Sequence, residues 1–268
     1  GLNDDELFDR LFWLGKEINH EIKAAAEACS LVYSFDVDDT DGELAQLGAL
    51  VDLKPLALYR NVADLEERGL AQRRGQWRAI LPHAVANRLA ARALVTIPIP
   101  LVEKHLVRDQ ERLLKSFSRR LGYLHKSVEA VAIARRWLAP NGLLGDVSEL
   151  GSLHEEVFEN IAPVDPAATL ETIQRTLDGP NGERLLASGS YSRVRLVRII
   201  RLIAWDADLF DTCMGLLIRF AVAEPADKRS DPTRDVIKSL FQIYLSGTHA
   251  STEQRAAWVK ALLGSKNE

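Results

Sequence analysis

Between Leu44 and Leu94 the chain packs two short helical patterns, a basic hairpin and a third helical pattern into about fifty residues, and few folds accept that order. Glu43 to Leu50 reads as a short helix. Asp52 and Lys54-Pro55 read as a turn, and Pro55 fits the first turn of a helix running to about Arg68, where Gly69 supplies the stop. Leu70 to Leu81 reads as a hairpin with Arg74-Gly75 at or near its turn. Leu81-Pro82-His83-Ala84-Val85-Ala86-Asn87-Arg88-Leu89-Ala90 then opens the third helix. Helix, turn, helix, wing and helix is the order of a winged helix. It sets His83 at the junction between the second wing strand and the next helix.

Asp5 to Phe35 carries apolar residues at Leu7, Leu11, Leu14, Ile18, Ile22, Ala25, Ala26, Cys29 and Val32, a helical period that predicts one or two helices. Thr96-Ile97-Pro98-Ile99-Pro100 breaks the helix after Leu94 and suggests a domain boundary, with residues 1–98 a helical lead-in plus winged helix and 99–268 a second domain. Helical blocks are expected at 101–123, 127–139, 147–161, 166–177, 192–205, 208–223, 233–245 and 252–263, with no strand signal among them. The expected fold class is therefore mainly α, a winged helix with a small β-hairpin followed by an α-helical repeat array of the HEAT or armadillo kind. No crisp repeat period accompanies it.

The formal charge is −4 and residues 1–100 hold 11 Lys and Arg against 16 Asp and Glu, so no general positive field draws this chain to nucleic acid or lipid. Cys29 and Cys213 lie in apolar contexts and read as reduced, buried thiols of a cytoplasmic protein. No apolar run of membrane-spanning length occurs. The start at Gly1, inside a helical pattern and without an initiator Met, reads as a piece of a longer polypeptide with Gly1 a tag remnant.

Catalytic signatures are missing: there is no phosphate-cradling Gly-rich loop with Lys and Ser or Thr, no Gly-x-Ser-x-Gly and no histidine pair at metal-ligand spacing. The expectation is a non-catalytic chain with neither metal nor cofactor of its own. Three candidate surfaces remain. His83 stands at a helix N-terminus, where backbone N–H groups favour an anion. Arg195, Arg198 and Arg201 recur every three residues and could bind an acidic partner surface, a nucleic acid or a phosphorylated ligand, but solvation or internal salt bridges are the preferred reading of such a row. Arg73, Arg74 and Arg78 would grip phosphates if the helix Pro55–Arg68 read DNA, but Asp64, Glu66 and Glu67 on that helix disfavour nucleic acid. For Arg119-Arg120 and Arg135-Arg136 the same preference for solvation or internal salt bridges over partner binding holds. Trp137, Trp205, Trp258, Phe210, Phe220 and Phe241 are expected in the core, and Trp77 is expected to pack.

The run from Val62 to Leu70, through the hairpin to Leu81-Pro82-His83 and on to Ala90, resembles the winged-helix domain that follows the ATPase core in STAND-class NTPases, the group of apoptotic, plant-resistance and bacterial defence or signalling ATPases. In that family the histidine of a Met-His-Asp motif touches the β-phosphate of bound ADP and holds the closed state. His83 falls on that histidine, with Pro82 where the Met would stand and Ala84 where the Asp would stand. More loosely, residues 118–125, 137–146 and 238–248 resemble the helical region that follows in bacterial members. The resemblance implies a regulatory piece of a bacterial sensor or defence protein. ADP or ATP would bind only together with an upstream ATPase core of the same chain, and the helical repeats would bind a ligand or protein partner. The competing expectation is a winged-helix transcriptional regulator with a helical effector or dimerisation domain.

Overall fold

The computed structural model describes residues 8–14, 17–187, 191–224, 233–242 and 244–264, and these form two compact units, residues 1–134 and 135–268. Fourteen α-helices and five short strands occur among the described residues. The chain is mainly helical, as expected.

In the first unit a 3₁₀ turn, Arg10–Phe12, leads into a hairpin of β1 (Trp13–Leu14) and β2 (Glu17–Ile18). This corrects the expectation of continuous helix there. Helix α1 (His20–Ser30) starts only after Asn19, whose Oδ1 accepts from the backbone N–H groups of Glu21 and Ile22. Its small buried face, Ala25, Ala26 and Cys29, lets α4 (His83–Thr96) pack closely, with Ala86, Ala90 and Ala93 buried on the α4 side.

Between them come β3 (Phe35–Asp36), α2 (Glu43–Ala49), α3 (Pro55–Glu67), β4 (Ala71–Arg74) and β5 (Trp77–Ile80). Gly48 makes the α2–α3 turn possible: a side chain there would sit 2.3 Å from the Leu53 carbonyl, and the Leu53 N–H bonds Gly48 at 2.9 Å. Gly69 (φ 69°) ends α3 and Gly75 (φ 60°) turns the hairpin, both in the left-handed region. The hairpin expected at Arg74-Gly75 is present, with Arg74 opposite Trp77. A third strand, too short to carry a pattern, joins it: β5 is central, with β3 on one side through Phe35–Arg78 and β4 on the other. The bond between Leu81 and Pro82 is cis.

The stretch expected as one block, 101–123, is two helices, α5 (Ile99–Leu106) and α6 (Glu111–Leu121), separated at Asp109, which has φ 55°. These, and the start of α7 (Val128–Leu138), belong to the first compact unit, which therefore runs past the proline-rich break at 96–100.

The second unit contains α8 (Ser152–Ile161), α9 (Pro166–Asp178), the short α10 (Gly182–Leu186), α11 (Tyr191–Ile203), α12 (Phe210–Val222), α13 (Thr233–Leu240) and α14 (Thr252–Gly264), with no strand among the described residues. On α9, Thr172 and Arg175 donate to the Leu138 carbonyl at 2.9 and 2.7 Å and so hold the end of α7. Arg193 is fully buried and donates to the carbonyls of Leu186 and Phe220 and to the Thr233 hydroxyl, each at 2.9 Å, tying α10, α11, α12 and α13 together. Phe210 and Phe220 are buried and Phe241 half-buried, but Trp205 is 60% exposed and only edges against His249, a correction to its expected core position. Trp258 is half-buried, its ring N–H donating to Asp211 at 2.6 Å. Among the described residues no single helix is long and apolar enough to cross a membrane.

Candidate functional site

Tyr33, between the end of α1 and β3, is the hinge of the candidate site. Its backbone N–H bonds the Ser116 carbonyl at 3.0 Å, and the next residue, Ser34, exchanges bonds with the Ser116 hydroxyl at 3.0 and 2.6 Å, so α6 locks the position of this ring. His83 stacks on it, with centroids 5.2 Å apart and planes inclined by 24°. The Arg119 guanidinium lies 3.7 Å over the same ring and Tyr123 stacks at 6.4 Å. His83 is exposed at the first position of α4, and no side chain caps that helix end. Its ring is turned outward, away from the aliphatic core.

Two adjoining cavities flank this stack. One, of about 370 Å³, is walled by Tyr33, Ser34, Trp77, Arg112, Lys115, Ser116 and Arg119; the other, of about 260 Å³, lies between Tyr33, Trp77, Arg74 and His83. They share Tyr33, Ser34 and Trp77 and form one trough between the β4–β5 hairpin and α6. Among the described residues no aspartate or glutamate lines either cavity. Trp77, 36% exposed, packs on the Arg112 guanidinium at 4.7 Å. Arg112 is in turn paired with both carboxylate oxygens of Glu43, which fixes its side chain as a wall of the trough.

Beneath Tyr33 lies Arg120, fully buried. It donates to the Asn87 side-chain oxygen at 2.6 Å and to the Val32 carbonyl at 3.5 Å, its Nε has no partner, and no carboxylate pairs with it among the described residues. Burial, reinforced by the like charge of Arg119, pulls its pKa down to about 10, still a cation at neutral pH. The expected solvation or salt bridging of Arg119-Arg120 is thus corrected for Arg120.

The other candidates are placed as follows. Arg73 and Arg74 are exposed on the β4–β5 hairpin. Arg78 is 3% exposed: it pairs with Glu66 and donates to the carbonyls of Gly75 at 2.8 Å and Trp77 at 3.1 Å, so it braces the hairpin and is withheld from any outside phosphate. Arg195 and Arg198 both reach Glu159 at 3.8 Å, and Arg201 donates to Ser239, Ser246 and Gly247; of this row only Arg198 is well exposed. The row is thus largely an internal brace. No cluster of three metal-ligating side chains occurs among the described residues.

The trough itself was not anticipated. A signal for half of it exists in Arg112, Lys115 and Arg119, spaced three and four apart on one helical face. Nothing in the sequence joins that face to Tyr33 and Trp77. No protein-family model, curated protein or solved structure matches the chain.

Proposed function

We propose that the chain is a non-catalytic regulatory module of the STAND-like kind: a winged helix, built by α1, β3, α2, α3, β4, β5 and α4, reports the phosphate state of a nucleotide held by an ATPase core, and the helical repeats after it receive a protein partner or ligand. The observation that carries the reading is His83, exposed at the first position of a fourteen-residue helix whose N-terminal N–H groups lack a side-chain cap. An imidazole beside free N–H groups donates to an anion without rearrangement. Tyr33 beneath it, with its hydroxyl 3.4 Å from His83 Nε2, holds the ring pointing outward. The order of elements and the β3–β5–β4 sheet support the winged-helix assignment. Regulation would be a two-state equilibrium in which ADP favours the state with His83 on its phosphate and the sensed ligand favours the other.

The test is the ADP retained by a polypeptide carrying this chain together with its ATPase core. His83→Ala is expected to lower ADP affinity by about tenfold or more, the worth of one hydrogen bond to a charged group; unchanged retention rejects the role.

A winged-helix DNA reader is the second reading, favoured by exposed Arg73 and Arg74 and by Lys54, Tyr59 and Arg60 on the outer side of α3 and the turn before it. Asp64 and Glu67, exposed on the same helix, oppose it. Salt-dependent duplex binding abolished by Arg73→Glu and Arg74→Glu would establish this second reading in place of the first.

A further inference from the structure

We infer that the trough between the wing and α6 binds single-stranded nucleic acid, with backbone phosphates along Lys115 and Arg119 over buried Arg120 and a base stacked on Trp77. This goes beyond a phosphate contact at His83, since it needs no ATPase core and uses a helix outside the winged helix.

Three independent observations converge. The first is charge. In a chain of net charge −4, the trough gathers Arg74, Arg112, Lys115 and Arg119, and among the described residues no acidic side chain lines it. Glu43 pairs with Arg112. The second is Arg120. A guanidinium taken wholly out of water without a carboxylate is costly, and what accompanies it here is more positive charge from Arg119 and the rings of Tyr33 and Tyr123. An anion above it, bound through Arg119, is what that arrangement lacks. Arg119 is placed for one: it is exposed, and its guanidinium is held 3.7 Å from the centroid of the Tyr33 ring. The third is the aromatic surface. Trp77 is part-exposed at the trough's wall and Tyr123 is 52% exposed at the far end of the Tyr33 stack, so planar rings border the cationic row.

The shape selects among anions. From Arg112 to Arg119 the helix rises about 10 Å. A row of that length spans successive phosphates of one extended strand, whereas a mononucleotide would be served by groups converging on one point. Duplex DNA would instead be met by α3, whose outer face carries Asp64 and Glu67.

Fluorescence anisotropy of the 268-residue chain with a labelled oligothymidylate, compared with ADP and with a duplex of equal length, tests this. Binding of the single strand is expected to exceed that of ADP and of duplex, with a slope of log affinity on log salt of about −2 for three cations. Lys115→Glu combined with Arg119→Glu should abolish binding, Trp77→Ala should weaken it about tenfold, and Arg198→Glu in the second unit should leave it unchanged. Lys115 and Arg119 are exposed, so the fold should survive; Lys115→Gln with Arg119→Gln provides the same reading, as a shallower salt slope, should the charge reversal unfold the chain. Absence of binding, preference for duplex or for ADP, or loss on Arg73→Glu with Lys115 and Arg119 immaterial would each overturn the proposal. Because ADP retention reads His83 and this experiment reads α6, either can fail alone.

Discussion

Among the arginines, burial separates residues that their sequence contexts leave alike. Arg73, Arg74 and Arg78 stand within six positions of one another in the β4–β5 hairpin, yet only the last is inside, holding Glu66 and two carbonyls. Arg78→Ala should therefore cost about 2–3 kcal/mol in urea unfolding, because Glu66 and two carbonyls lose a charged donor. Arg73→Ala should lie within about 0.5 kcal/mol of the parent. Equal losses for the two would contradict the placement. The thiols carry a second prediction at this scale. Burial pushes the Cys29 thiol far above its ordinary range and, with Asp206 nearby, raises Cys213 to about 12. Both should stay silent to a thiol reagent in the native protein at pH about 8.5, where a free thiol is half ionised, and react fully in denaturant. Their buried, reduced state was readable from apolar neighbours, whereas the burial of Arg78 depended on a carboxylate 12 residues away, Glu66.

For helices and strands, caps and punctuation served the sequence reading well wherever a local rule operates. Pro55, Gly69 and the Arg74-Gly75 turn all lie where backbone chemistry demands them. The reading failed where the signal was shorter than a period. Two-residue strands at Trp13–Leu14, Glu17–Ile18 and Phe35–Asp36 owe their existence to a partner strand, and Leu14 and Ile18 happened to continue a helical spacing. The segment before α1 offers a pH test. Burial raises the Asp9 carboxyl, but hydrogen bonds and charge from Lys23 on α1 and Arg92 on α4 outweigh it and hold it below the usual range. A depressed carboxylate contributes stability at neutral pH that is lost as pH falls through its folded value. Unfolding free energy should accordingly drop on acidification below about pH 4, and Asp9→Asn should flatten that drop while lowering stability at pH 7. A parallel acid profile in the variant would show that the clamp is not what titrates.

Across the molecule, each compact unit, residues 1–134 and 135–268, has buried polar side chains of its own. In the second unit the largest of these is Arg193. Arg193→Ala would strip donors from the carbonyls of Leu186 and Phe220 and take from Glu224, 3.8 Å away and nearly buried, one of its cations, with Arg234 at 4.0 Å remaining. A loss of about 3–5 kcal/mol is expected, read as a lower thermal midpoint, with Arg198→Ala as the near-neutral comparison. The same helix therefore carries a structural arginine and an exposed one five positions apart.

Local chemistry alone was enough to specify a mainly helical chain, the positions of most helices in both units, the Arg74-Gly75 hairpin and the place of His83 at a helix start. Each of these follows from periodicity, proline, glycine and capping, which act over a few residues. Only the tertiary structure brought Tyr33, Trp77 and the Arg112–Arg119 face together, buried Arg120 without a counter-charge and turned Arg78 and Arg201 inward. Those outcomes depend on which distant groups share a low-dielectric space, and the free energy of a charge is set by that company more than by its sequence neighbours.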